Sequence, residues 1–108
     1  MRRIRICDHD FEGPVDLNAP GVPDDRPGVY VIICDCADGP KRMADAGRAS
    51  NIAKALTDRE NQQQWRKPYD GPLSAYVWYP ADGDPADACE RLVEAIRERY
   101  SPICSRGR

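Results

Sequence analysis

The sequence predicts a small α+β domain, in which a mainly antiparallel sheet of three to four strands is flanked by helices. Two observations support this class. Short runs rich in β-branched residues are bounded by glycine and proline, and two other segments carry apolar residues at helical spacing. The predicted order is β-β-β-α-β-α, which in a chain of 108 residues favours a mixed sheet with helices packed against it.

Length and charge limit the classes of function. The 108 residues correspond to one domain, so 1–108 is treated as a single unit. The formal net charge is −2, so any nucleic-acid contact requires a local basic patch. No window approaches the roughly 20 apolar residues that cross a bilayer. The charged start lacks the apolar segment of a signal peptide, so we expect a cytoplasmic protein without a membrane partner.

The first strand is predicted at Arg2 to Cys7, where Ile4 and Ile6 alternate with polar side chains. The segment 8–27 contains four prolines and two glycines and is interpreted as an ordered loop. The sequence therefore predicts that 1–25 forms an N-terminal strand and loop that precede the main body of the domain.

The strongest strand signal is Gly28 to Cys34, a run of β-branched and aromatic residues typical of a central strand buried on both faces. Turn residues follow at 38–40, and 41–48 is predicted to return as an antiparallel partner. A later strand is predicted from Leu73 to Tyr79, where apolar residues alternate with others.

Two helices are predicted from apolar spacing and capping residues. Ser50 is the expected N-cap of a helix over 51–60, and the polar extension 61–67 fits either helix or ordered loop. The last helix is expected to start with Asp84 as its cap and Pro85 as its first residue, followed by a long apolar stripe.

The order of these elements, with Pro27 to Val31 opening the first apolar strand, resembles the GIY-YIG nuclease superfamily over about residues 26–104. In that family a Gly-Ile-Tyr strand is followed by a strand ending in Tyr-Ile-Gly, a helix, a third strand and a helix that carries a glutamate. Gly28-Val29-Tyr30 matches the first motif. Asp45-Ala46-Gly47 stands for the second, with its glycine kept and its tyrosine replaced by Asp45.

The resemblance implies phosphodiester hydrolysis at one divalent metal, Mg²⁺ or Mn²⁺, held by a glutamate. Tyr30 is then the catalytic tyrosine. Two residues are candidates for the glutamate that binds the metal. Glu90 has the apolar Val93 three residues later, whereas Glu94 better fits the family's distance to Pro102. Both therefore stand as candidate catalytic and metal-binding residues.

The basic residues that the resemblance assigns to phosphate binding are altered. The position of the family's helix arginine is Ala55, so the nearest candidates are Arg48, Lys54 and Arg59. Cys104 replaces the asparagine of the family's ending. Loss of a preorganised charge partner costs on the order of 10²-fold in rate or more. We therefore expect weak or lost hydrolysis, with DNA as a candidate partner.

A second interpretation makes the chain a non-enzymatic protein-interaction module with a structural metal. Cys7 and His9 are two residues apart, as are Cys34 and Cys36, so each pair lies on one face of an extended strand. If the two strand ends meet, the four side chains could hold zinc tetrahedrally. Otherwise the five cysteines indicate reduced core thiols. The oligomeric state is open.

Overall fold

In a computed structural model that describes residues 2–16, 26–34, 42–66 and 73–100, the chain forms a five-stranded sheet with helices on both faces. The elements in chain order are β1 (Arg2–Ile6), β2 (His9–Asp16), β3 (Gly28–Cys34), β4 (Arg42–Ala49), α1 (Ile52–Thr57), α2 (Arg59–Arg66), β5 (Leu73–Trp78) and α3 (Ala88–Tyr100). The strand order is β1-β2-β5-β3-β4, and every neighbouring pair is antiparallel. The α+β class is confirmed, but the sheet has five strands rather than three to four.

The additional strand is β2, and the prediction of a loop over 8–27 was wrong for its first half. Pro14 lies within β2 where the register with β5 shifts, between Glu12 and Val15. A proline cannot donate a ladder hydrogen bond, and an irregularity of this kind is a place where a strand tolerates one. The proline content of the segment therefore concealed a strand.

The connection between β1 and β2 is a two-residue turn. Cys7 and Asp8 have φ values of 48° and 65°, the left-handed conformation that matches the twist of a tight hairpin. Nδ1 of His9 lies 2.7 Å from the carbonyl oxygen of Cys7. The His9 ring also packs edge-on against Trp78, with 4.8 Å between ring centroids. The turn ends β1 at Ile6 rather than Cys7 and is held against β5.

Strand β3 has the predicted bounds and is largely buried on both faces, although β5 rather than β3 is the middle strand. Its partner β4 runs from Arg42 to Ala49, close to the predicted 41–48. The small residues of β4, among them Ala44, Ala46 and Gly47, have poor strand propensity. Pairing with β3 decides their conformation, as tertiary context commonly does for strands.

The helices begin later than their first capping signals. The Oδ1 of Asn51 accepts the N–H of Lys54 at 3.0 Å, so Asn51 caps α1 rather than Ser50. The last helix starts at Ala88 instead of Pro85. The N–H of Ala88 donates to the carbonyl of Pro85 at 3.0 Å, which places the proline in a turn before α3.

The helix predicted over 51–60 is divided at Asp58. The Oδ1 of Asp58 accepts the N–H groups of Glu60 and Asn61, at 2.9 and 3.2 Å, and so caps a second helix. This helix, α2, extends through Arg66. The polar extension of the first helix is therefore helical up to Arg66.

Buried side chains form one cluster on each face of the sheet. On the α1/α2 face the buried residues are Val15, Tyr30, Ile32, Ala44, Ile52, Leu56, Trp65, Ala75 and Val77. On the α3 face they are Ile6, Phe11, Val29, Val31, Ala46, Tyr76, Leu92, Val93 and Ile96. Successive residues of a strand point to opposite faces, so the position of a residue in β3 decides which helices it can meet.

A buried carboxylate joins α2 to β4. Asp45 is fully buried, the one charged side chain in this state among the described residues. Its Oδ2 accepts the indole Nε1–H of Trp65 at 2.7 Å, and its Oδ1 accepts the N–H of Ala46 at 2.8 Å. Apart from Trp65, the α2 side chains that the structure describes are polar or charged. This hydrogen bond therefore fixes the one apolar anchor of α2.

The Trp65→Phe variant tests this anchor. It keeps an aromatic ring in the core but removes the donor to Asp45, and a hydrogen bond to a charged group contributes about 1.5 to 3 kcal/mol. We expect the free energy of unfolding to fall by at least that amount in urea titrations followed by circular dichroism. Gln63→Ala, at an exposed site on the same helix, should stay within about 0.5 kcal/mol of the parent chain. Equal stability of the two variants would contradict the role of the bond.

Candidate functional site

The tyrosine of the first motif lies in the core. Tyr30 is 6% exposed, on the α1/α2 face, and its ring packs at a tilt against Trp65 with 5.6 Å between centroids. It lies over Gly47, its partner on β4. A Cβ at Gly47 would lie 2.5 Å from the Tyr30 hydroxyl oxygen and 2.7 Å from Cζ. The glycine is thus required for the tyrosine to pack against β4.

The two candidate glutamates lie on the other side of the sheet. Glu90 and Glu94 are exposed on α3, which packs through Leu92, Val93 and Ile96 on the α3 face. The sheet therefore separates both carboxylates from the side chain of Tyr30. The structure does not bring the predicted catalytic residues together.

The candidate phosphate-binding residues are also divided between the faces. Arg48 pairs with Val29 across β3 and β4, and directly opposed residues share a face, so it lies on the α3 face. Lys54 and Arg59 belong to α1 and α2 on the opposite face. All three basic side chains are exposed. The described residues therefore provide no single basic surface from this set.

The described members of the zinc set expected from the second interpretation, Cys7, His9 and Cys34, are divided between the two ends of β5. The His9 ring, 2.7 Å through Nδ1 from the carbonyl oxygen of Cys7, contacts Trp78, the last residue of β5, whereas Cys34 pairs with Leu73, its first residue. Five steps along a strand correspond to about 16 Å. Cys36 lies outside the described residues. Within the described ranges no three His, Cys, Asp or Glu side chains are grouped to hold a metal.

One thiol lies beside Arg48 at the start of α3. Burial raises the pKa of the Cys89 thiol above its ordinary value; the guanidinium of Arg48 lowers it in part, and the carboxylate of Asp84 raises it further. The thiolate is the reactive form of cysteine, and a raised pKa lowers its population at neutral pH. Cys89 is therefore suited to packing rather than to nucleophilic chemistry.

A cavity of about 330 Å³ opens beside β1, β2 and the end of β5. It is lined by Arg3, Asp10, Glu12, Arg26, Val77, Trp78 and Tyr79. The guanidinium carbon of Arg26 lies 4.3 Å from the centroid of the Tyr79 ring. Two arginines and two carboxylates balance the charge of the lining. The lining therefore has no net formal charge.

The two edges of the sheet differ in whether their outer backbone N–H and C=O groups are hydrogen-bonded. On edge strand β4, the N–H of Ala46 donates to Oδ1 of Asp45, and its carbonyl accepts Nε–H of Arg97 at 3.1 Å. Ala46 lies on the outermost strand, opposite Val31, and its bonds to these side chains keep both groups from pairing with an additional strand. Side chains therefore close this edge at its middle.

At the opposite edge, the turn decides which groups of β1 point outwards. Ile6 and His9 flank a two-residue turn, so they exchange ladder hydrogen bonds, and Ile4 bonds to β2 in the same way. The N–H and C=O groups of Arg3 and Arg5 therefore point away from β2. In the described part of the chain these four groups have no hydrogen-bond partner. We call them the β1 edge.

The β1 edge is not among the sites predicted from the sequence, because the order of strands in a sheet is not a local property. One sequence signal could have indicated it. Arg3 and Arg5 alternate with isoleucines, and charged side chains on alternate positions are typical of strands at the edge of a sheet. This signal becomes interpretable only once β1 is known to be an outer strand.

Comparisons of the chain with protein-family models, with curated proteins and with solved structures found no match. None of the helices in the described ranges is long and apolar enough to cross a membrane.

A Gly47→Ala variant tests whether the matched motif residues act in packing. The new methyl group would overlap the end of the Tyr30 side chain, and overpacking of this kind costs about 1 to 3 kcal/mol. In a Tyr30→Leu background the overlapping atoms are gone, so the same substitution should cost less. The measurement is a double-mutant cycle of unfolding free energies.

Gly28→Ala provides the matched control. Its Cβ would lie 2.6 Å from the backbone carbonyl oxygen of Trp78, which the Tyr30→Leu change does not remove. Its cost should therefore be the same in both backgrounds. Equal costs of Gly47→Ala in the two backgrounds would refute the proposed packing of Tyr30 on Gly47.

Proposed function

We propose that this chain is a divergent GIY-YIG-like domain that has lost phosphodiester hydrolysis and acts as a non-enzymatic protein-interaction module. The observation that carries the proposal is the difference between the two edges of the sheet. On β4, the N–H and C=O groups of Ala46 form hydrogen bonds with Asp45 and Arg97. On β1, the outward N–H and C=O groups of Arg3 and Arg5 have no hydrogen-bond partner in the described part of the chain. An open strand edge is a template for pairing with another chain.

The positions of the candidate catalytic residues argue against hydrolysis. Cleavage at Mg²⁺ or Mn²⁺ requires the metal-binding glutamate and the tyrosine to converge on one phosphate. Tyr30 is enclosed on the α1/α2 face, while Glu90 and Glu94 extend from α3 beyond the other face. A substrate phosphate in contact with either glutamate would be separated from the tyrosine by the sheet.

The charge distribution favours a protein partner over DNA. Binding to a phosphate backbone gains its affinity from several basic contacts on one surface. Arg48 is separated from Lys54 and Arg59 by the sheet. On α3 the exposed Glu90, Glu94 and Glu98 alternate with as many exposed arginines, so this helix offers phosphate no net positive charge; the arginines are Arg91, Arg97 and Arg99.

The loss of hydrolysis is tested with purified chain, plasmid DNA and branched DNA, with Mg²⁺ or Mn²⁺ added. We expect no cleavage above that of Tyr30→Phe or of the Glu90→Gln/Glu94→Gln double variant. We also expect no binding to DNA at low salt, where electrostatic attraction is strongest. Cleavage that depends on the metal and disappears in these variants would overturn the proposal. DNA binding that is lost when Lys54 and Arg59 are both changed to Gln would replace the protein partner with DNA.

A further inference from the structure

We propose that the β1 edge binds an extended segment of another protein in which acidic residues alternate with apolar ones, and that this segment adds a sixth strand to the five-stranded sheet. The inference rests on the proposed interaction role and names its partner. The required pattern is acidic, apolar, acidic, with the acidic residues paired with Arg3 and Arg5. This mode of binding is strand addition, in which the ladder supplies affinity and side chains supply specificity.

The backbone provides the first part of the recognition. Arg3 and Arg5 each direct one N–H and one C=O outwards, two residues apart. An antiparallel strand presents the complementary pairs at this same spacing. A segment of about five residues is therefore long enough to use all four groups.

The side chains provide the second part. Arg3 and Arg5 are 69% and 65% exposed and make ion pairs with Glu12 and Asp10 at 3.6 and 3.3 Å. A guanidinium has five N–H donors, so each arginine can also bind a second carboxylate on its outer side. Ile4, between them, packs against the cluster on the α3 face. An apolar partner residue opposite Ile4 would extend that cluster.

A second copy of this chain is a poor occupant of the β1 edge. Two copies related by a twofold axis would pair their β1 strands antiparallel. In each register that joins the outward groups, Arg3 or Arg5 of one copy faces Arg3 or Arg5 of the other. Like charges directly opposite each other destabilise strand pairing. Acidic residues at the facing positions would instead attract Arg3 and Arg5.

The test uses the 108-residue chain and a soluble synthetic peptide with the core Glu-Val-Glu-Val-Glu. Backbone hydrogen exchange is followed by NMR. We expect the amides of Arg3 and Arg5 to exchange at least about tenfold more slowly with peptide bound, since each gains a hydrogen bond. The amide of Ile4, already bonded to β2, and that of Ala46, on the closed edge, should change little.

Matched peptides separate ladder formation from charge attraction. A peptide with the same residues, N-methylated so that the amides that face β1 cannot donate, should bind at least about tenfold more weakly. A peptide with Lys in place of Glu should not bind. Equal binding by the N-methylated peptide would overturn strand addition, and binding by the Lys peptide would overturn the charge requirement.

Two substitutions of Arg3 also separate ladder formation from charge attraction. Arg3→Gln removes the charge, and Arg3→Pro also removes the outward N–H without removing a ladder bond to β2. The peptide should bind Arg3→Gln more weakly than the parent chain, and Arg3→Pro at least about tenfold more weakly than Arg3→Gln. Unchanged NMR shifts on β3 and β5 would verify the fold of each variant. Equal affinity of the two variants would contradict the ladder.

The remaining outcomes identify other occupants. Protection of Arg3 and Arg5 amides that depends on protein concentration, without peptide, would assign the edge to a second copy. Protection by a single-stranded oligonucleotide in place of the acidic peptide would assign it to nucleic acid. If the peptide does not bind and DNA is not cleaved, the proposed acidic partner would be rejected, but the proposed loss of hydrolysis would stand. Metal-dependent cleavage would reject the proposed function itself.

Discussion

The hydrogen bond between the buried carboxylate of Asp45 and the indole of Trp65 is the constraint on which much of the domain depends. A buried charge is tolerated only when its oxygens are satisfied, and both oxygens of Asp45 accept a hydrogen bond. One oxygen holds α2, which has no other large apolar anchor. The other binds Ala46 and helps to close the β4 edge. A single side chain thus positions a helix, shapes the wall around Tyr30 and limits where the sheet can grow.

The residues that carry the resemblance to the GIY-YIG superfamily have packing roles in this chain. Asp45 occupies the place of the second-motif tyrosine and is bonded to Trp65, while Gly47 makes room for the ring of Tyr30. The matched positions therefore stabilise the core. A fold determines packing more firmly than chemistry, so similar elements can carry different functions.

Local patterns predicted much of the fold and little of the candidate site. The β-branched run of β3 and the apolar spacing of α3 are determined by short-range sequence, so their existence was predictable. Strand β2 was missed because Pro14 suggested a loop. The face on which Tyr30 lies, its separation from Glu90 and Glu94, and the outer position of β1 all depend on how distant strands are ordered. No periodicity within one segment encodes that order.

The turn at Cys7 and Asp8 determines which backbone groups of β1 face β2 and which face outwards. Its two-residue length places the backbone groups of Arg3 and Arg5 outside and those of Ile4 inside. A change of one residue in the turn would shift the pairing by one position and exchange the two sets, and with them the side chains on each face. Chains that differ only in the length of this turn would expose a different set of backbone groups and side chains on β1. The outer surface of the sheet would then change while the core stayed the same.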